Sequence, residues 1–241
     1  MKKLTDWFDS VFVIHCAYRK DRLRALTKNI EDTGGADISR ITLYPAVQGK
    51  LTEPPKYWKL GHAAWGCLQS HRRVIEDVLH THLYKKAPAN VLVLEDDVHF
   101  LPESLETINS FMGDVPEDWG QIYFGGQHTG PVSSTNSPKV YQPTSVNRAH
   151  AYALNRHVFK DFYAKLHDVD KLKENPLWLN DNLIEDAHRE KKWTIYCPPQ
   201  WVCGQSAGHS DISLEVDPLR MWDDKPDKLF PNKGVPVTLL K

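Results

Sequence analysis

Short apolar runs alternate with amphipathic stretches along the chain, the pattern of an α/β fold. Val11 to Ile14 reads as a compact strand, followed by a polar turn and a helix over Arg22 to Asp32 that Gly34-Gly35 stops. Ile41 to Tyr44 is a second strand, and Leu51 to Leu60, rich in Pro, Lys and aromatics, is a surface loop. A strong helix is expected from Ala64 to Lys85, with Leu68, Ile75, Val78, Leu79 and Leu83 on one stripe and Pro88 ending it. Val91 to Leu94 is apolar at every position, as in a strand buried on both faces of a parallel sheet. Further strands are expected at Gln121 to Phe124, Lys139 to Tyr141 and Ala151 to Leu154, and helices over Arg156 to Leu166 and Leu177 to Lys191. From about Glu215, Pro218, Pro226, Pro231 and Pro236 punctuate a charged stretch. The expected organisation is one domain over 1–213 and a Pro-rich tail over 214–241 that covers a groove or packs on a partner.

The strand at Val91 to Leu94 stops abruptly in Glu95-Asp96-Asp97. Three consecutive carboxylates repel one another and cannot all be buried without compensation. At the carboxyl end of a strand in an open α/β sheet, they stand where ligands bind. Side chains alternate along an extended chain, so Glu95 and Asp97 can share one side while Asp96 faces the other. Two such carboxylates can hold a hard divalent cation, which also binds phosphate oxygens. A solvated turn ahead of a helix is the competing reading of the tripeptide alone.

Composition narrows the function classes. The 30 Lys and Arg against 31 Asp and Glu give a formal charge of −1, which argues against a general nucleic-acid coat or a polybasic membrane binder. With 41% hydrophobic and 25% charged residues the chain is expected to fold as an ordinary globular protein. Cys16, Cys67, Cys197 and Cys203 form no zinc-ribbon pattern and are expected to stay reduced in the cytoplasm. Asp6 and Asp9 interrupt any signal-peptide core, and no run approaches a membrane span.

Several segments together resemble the glycosyltransferases of family 25, which include lipopolysaccharide glycosyltransferases and procollagen galactosyltransferases. Gly66-Cys67-Leu68-Gln69-Ser70-His71, a helix, and then Val-Leu-Val-Leu-Glu-Asp-Asp are similar to that family's core pattern. Val13-Ile14 through Asp21-Arg22, Pro45-Ala46-Val47-Gln48-Gly49, Ala149 to Leu154, Asn180-Asp181-Asn182-Leu183 and Ser210-Asp211-Ile212 resemble its other segments in order. The likeness spans about residues 11–213. His15-Cys16 stands where Asn-Leu is more usual, and the stretch between Phe124 and Asn147 has no counterpart.

This resemblance implies a GT-A fold, a Rossmann-like α/β domain with a mostly parallel sheet flanked by helices. It implies transfer of a sugar from a nucleotide-sugar, such as a UDP-hexose, to a saccharide hydroxyl with inversion, as in lipopolysaccharide biosynthesis. Mn²⁺ or Mg²⁺ would neutralise the departing diphosphate. Glu95 and Asp97 are the expected metal ligands, with His209, between small residues, as a third or else a surface histidine. Asp96 would face the ribose or sugar.

Inversion needs a base for the acceptor hydroxyl. Asp181 and, one turn on, Glu185 are the candidates, unless they are helix acids stabilised by the dipole. Arg19 and Arg22 would pair with phosphate or stay solvated, and Ser70 would cap or contact the donor. The stripe carrying His71 favours a core histidine over a ligand. Tyr57, Trp58, Trp65, Trp178 and Trp201 can stack on sugars, although eight tryptophans point first to core packing, with Tyr57 and Trp58 excepted by their polar loop. Two other readings stand beside this one. The acceptor can be a hydroxylated nucleobase or protein side chain, with His71-Arg72-Arg73 and Arg19 to Arg24 serving a nucleic acid. Alternatively the chain is an inert nucleotide-sugar-binding module.

Overall fold

The computed structural model describes residues 1–84, 88–212, 215–222 and 237–239. A six-stranded sheet forms the centre, in the order β2-β1-β3-β8-β5-β9. Its strands are β1 (Ser10–His15), β2 (Ile41–Pro45), β3 (Asn90–Glu95), β5 (Gln121–His128), β8 (Val146–Asn155) and β9 (Ile195–Tyr196). β4 (Val98–Phe100), β6 (Val132–Ser134) and β7 (Tyr141–Pro143) lie outside that sheet. The β1–β2, β1–β3 and β5–β9 pairs are parallel, and β8 runs antiparallel to both neighbours. Five of six strands therefore share one direction, and the expected α/β architecture with a mostly parallel sheet is what the chain adopts.

The helices are α1 (Lys20–Thr33), α2 (Gly61–Tyr84), α3 (Ser104–Met112), α4 (Phe159–Leu166), α5 (Val169–Glu174) and α6 (Asn180–Arg189). α1 ends where Gly34 takes a left-handed φ of 64° and donates its N–H to the Ile30 carbonyl, a cap that suits glycine. α2 buries Leu68, Ile75 and Val78, with Leu79 packed at the edge of the core. Leu83 and Lys85, and most of the Pro-rich stretch, lie outside the residues whose side chains are described. The expected strand at Lys139 to Tyr141 begins only at Tyr141.

The strand alternation sorts β3 between two cores. Val91 and Val93 pack with α2, α4 and α6 on one face, whereas Leu92 and Leu94 pack with α1 and α3 on the other. Both faces are covered, which is why this strand has no polar position from Val91 to Leu94. Continued by one step each, the same alternation carries Glu95 to the α2 side and Asp96 to the α1 side.

No helix of the described residues is long and apolar enough to cross a membrane. All four cysteines are free thiols.

Candidate functional site

The chain leaves β1 toward β2 on one side, while β3 lies on the other, so the order of connections reverses between β1 and β3. In an open α/β sheet the crevice beyond the strand ends at such a point is where ligands bind. Here it is bounded by His15 and Cys16 at the end of β1 and by the acidic triplet at the end of β3, with Ile14 in register with Glu95.

Asp96 is wholly engaged. Its Oδ2 lies 2.8 Å from His15 Nδ1 and accepts the Cys16 N–H at 3.2 Å, and its Oδ1 accepts from Arg22 Nη1 at 3.0 Å. The same Nη1 is 3.2 Å from Asp97 Oδ2. Asp97 Oδ1, in contrast, is buried with no hydrogen-bond partner. Burial raises the Asp97 carboxyl to about 7, with Glu95 adding to the rise and Arg22 opposing it. Glu95 turns toward α2, where its Oε1 lies 3.2 Å from His71 Nε2; His71 Nδ1 is 3.0 Å from the Tyr152 hydroxyl. Burial also pushes the Cys67 thiol well up, and Glu95 adds to the effect.

Two cavities meet over this turn. One, of about 160 Å³, lies between β1, the loop after β2 and α2, with Ile14, Ala46, Val47, Gly49 and Ala63 among its walls. The other, of about 300 Å³, is bounded by Arg148, Asp181, Gln205, Asp217, Arg220 and Trp222. Arg22, Cys67, Glu95 and Asp97 line both.

The wall of the smaller cavity depends on two glycines. A Cβ on Gly66 would stand 2.5 Å from the Val47 carbonyl oxygen, and one on Gly49 would collide with the His62 carbonyl. The loop therefore packs backbone to backbone on α2. Ser70 holds it there, accepting the Val47 N–H at 2.8 Å and donating to the Gly66 carbonyl at 2.7 Å.

The larger cavity is closed by segments after the sheet. β10 (Cys203–Gln205) pairs with β4, and the Ser206 N–H donates to the Asp97 carbonyl. A small hairpin of β11 (Gly208–His209) and β12 (Val216–Asp217) follows. Of the expected tail, Glu215, Asp217, Pro218, Arg220 and Trp222 thus line this cavity. Trp222 donates its indole N–H to Gln205 Oε1 at 2.7 Å, and the Arg148 guanidinium lies 3.6 Å from the centroid of its ring. Arg148 has φ 79°, a left-handed conformation that a long side chain rarely adopts and that tends to mark functional sites.

Of the residues singled out from sequence, the structure brings Arg22, Glu95, Asp97 and Asp181 to the larger cavity, and Ser70 and Asp96 to the smaller one. Asp181 is buried at the start of α6, with its Oδ1 accepting the Asn182 N–H and Arg148 Nη1 3.9 Å from Oδ2. Burial raises its carboxyl above the usual range, and Arg148 opposes this.

Other residues lie elsewhere. Glu185 is outside both cavities: it accepts from Asn147 Nδ2 at 2.7 Å and pairs with Arg189. Arg19 is buried between Asp21, Asp211 and the His209 carbonyl. His209 keeps its carbonyl in that network while its side chain is exposed, outside either lining. Trp58, expected at the surface, is buried and donates to the Gly61 carbonyl. Arg72 is buried too, its Nε on the Leu166 carbonyl, so His71-Arg72-Arg73 is no basic surface patch. Sequence reasoning passed over Arg148, Gln205 and Trp222. No local pattern marks them, because chain packing alone brings them together.

No protein-family model matches the chain, and none of the curated proteins does. Among solved structures it is similar to a mannose-1-phosphate geranyltransferase from Thermus thermophilus, at 11% identity over 78% of this chain and 72% of that one, with a TM-score of 0.38. It is similar to a glycosyltransferase involved in glycosylation of the major capsid of PBCV-1, at 12% identity over 70% and 69%, TM-score 0.34. A third likeness is to the glycosyltransferase GlyE of Streptococcus pneumoniae TIGR4, at 8% identity over 77% of this chain and 44% of that one, TM-score 0.41. These are loose likenesses, and the functional reading rests on the site.

Proposed function

We propose that the chain is a glycosyltransferase of the family-25 kind that moves a hexose from a UDP-sugar to a saccharide hydroxyl with inversion. The observation that carries this reading is the acidic turn at the sheet's switch point, where two cavities meet and Asp97 Oδ1 is buried without a partner. An orphaned carboxylate oxygen beside Glu95 suits a hard divalent cation far better than it suits a sealed core. Glu95 and Asp97 would hold Mn²⁺ or Mg²⁺, which supplies positive charge against the departing diphosphate.

The chain's own residues divide the rest. The smaller cavity would accommodate the base on its apolar and backbone side, formed by Ile14, Ala46, Val47, Gly49 and Ala63. Arg22 stands between the cavities, fixed by Asp96, and offers its guanidinium to phosphate. The larger cavity takes the sugar and the acceptor, with Trp222 and Arg148 as one wall. Asp181 accepts the acceptor's proton; its raised carboxyl pKa makes it a stronger base than a solvated aspartate, and Asn182 N–H holds it in place. Glu185, tied to Asn147 and Arg189, keeps α6 against β8 instead.

Thermal melting with UDP-, GDP- and CMP-sugars, with and without Mn²⁺, tests the donor. A ligand that binds only the folded form raises the melting temperature. The expected result is a rise with UDP-hexoses that requires the cation. No rise with any nucleotide-sugar contradicts the reading.

A further inference from the structure

Among the described residues, one group of three His, Cys, Asp or Glu side chains has its ligand atoms all within 4.8 Å of one another: Cys67, His71 and Glu95. Cys67 and His71 are four apart on α2 and so share a helix face. Glu95 meets them because the alternation along β3 turns it to that side. The group mixes a thiol, an imidazole and a carboxylate, and Cys67 and Glu95 are exposed to both cavities.

We propose that Cys67, His71 and Glu95 form a binding site for a borderline-soft divalent cation of the Zn²⁺ type, with its fourth position open to the cavities. The donor set decides the class of ion. Thiolate and imidazole select Zn²⁺ over Mg²⁺ or Mn²⁺, and three protein ligands with an open fourth place are the arrangement of zinc sites that meet a ligand. Charge balances, since a thiolate and a carboxylate neutralise the 2+ ion around a neutral imidazole. On binding, the Cys67 thiol gives its proton to solvent, the single proton of the neutral imidazole passes from Nε2 to Nδ1, and the ion stands between Nε2 and Glu95. That proton on Nδ1 is 3.0 Å from the Tyr152 oxygen, so Tyr152 fixes the tautomer as outer partners of ligating histidines do. The His71 contacts that make a satisfied core histidine are thus also those that orient a ligand. This inference stands on the cluster and does not rest on the transfer reaction; Glu95 faces His71 through Oε1, and its other oxygen is the one left to the cation held with Asp97.

Co²⁺, which takes zinc sites and reports thiolate ligation by a charge-transfer band in the near ultraviolet, is the probe. Titrated into the full chain, one equivalent is expected to produce that band, Zn²⁺ to abolish it by displacement, and Cys67→Ser to lose it while Cys16→Ser keeps it. No band at stoichiometric Co²⁺, or a band that survives Cys67→Ser, overturns the assignment. Should Cys67→Ser fail to fold, alkylation of the unaltered protein followed by peptide mapping gives the answer. Zn²⁺ slows modification of Cys67 at least several-fold if the site exists, and an unchanged rate overturns it.

Discussion

His15 Nδ1 and Asp96 Oδ2 lie 2.8 Å apart, almost sealed from solvent, and join the end of β1 to the end of β3. With Arg22 on the other oxygen, Asp96 is a fixed counter-charge. Its neighbour Asp97 keeps an oxygen for something else. Removing one member of a buried ionic pair leaves the other uncompensated, so Asp96→Ala is expected to cost about 3 kcal/mol in urea unfolding. Asp97→Asn, which leaves no charge stranded, is expected to cost little or nothing in the same measurement. Equal losses at the two positions would contradict this division.

The loop that walls the smaller cavity leaves no room for a side chain at Gly66. Gly66→Ala puts a methyl group against the Val47 carbonyl and forces loop and helix apart. The expected cost is about 2 kcal/mol, as for overpacking elsewhere. It should be accompanied by weaker nucleotide binding in calorimetry, because the same loop shapes the cavity.

Two buried histidines predict acid lability. Burial lowers His188 to about 3 and His150 to about 4, so both stay neutral in the fold and titrate normally when unfolded. Between roughly pH 6.5 and 4 the unfolded chain therefore binds more protons than the native one. Stability is expected to be insensitive to these groups above pH 7 and to fall as pH drops through that window, by about 1 kcal/mol per histidine for each pH unit. Denaturant midpoints at pH 7.5, 6, 5 and 4 check this, and His188→Gln should flatten the slope.

Asp181 and Glu185 are one helical turn apart, yet only Asp181 lines the larger cavity. Asp181→Asn is expected to lower turnover by about 100-fold or more while donor affinity stays near the unaltered value. Glu185→Gln breaks the contact with Arg189 and should lower stability more than rate. Steady-state kinetics beside thermal melting separates the two, and a larger rate loss at Glu185 would assign the base there.

Much of this was legible before folding, for identifiable reasons. Val91 to Leu94 reads as a doubly buried strand because no polar residue interrupts it, and strand alternation then sends Glu95 and Asp96 to opposite sides. The reversal of β8 was not legible: a buried strand is apolar whichever way it runs, and only the path through β5, β6 and β7 sets its direction. β4 and β10 were missed because three-residue strands carry no measurable period. His71 reads as a core residue from its stripe, and it is buried. Its bond to Glu95 belongs to the meeting of α2 with β3, which no local pattern encodes. The same holds for Arg148 against Trp222, which are 74 positions apart by their numbers in the chain.

The central claim is that Asp97, through a divalent cation, serves sugar transfer at the crevice beyond β1 and β3. Release of UDP from a UDP-hexose by the full chain, followed with Mn²⁺, with EDTA and in the Asp97→Asn variant, tests it most directly. The account predicts turnover that EDTA abolishes and Mn²⁺ restores, and that is lost in a folded Asp97→Asn protein. Turnover unchanged by EDTA or by Asp97→Asn would contradict it.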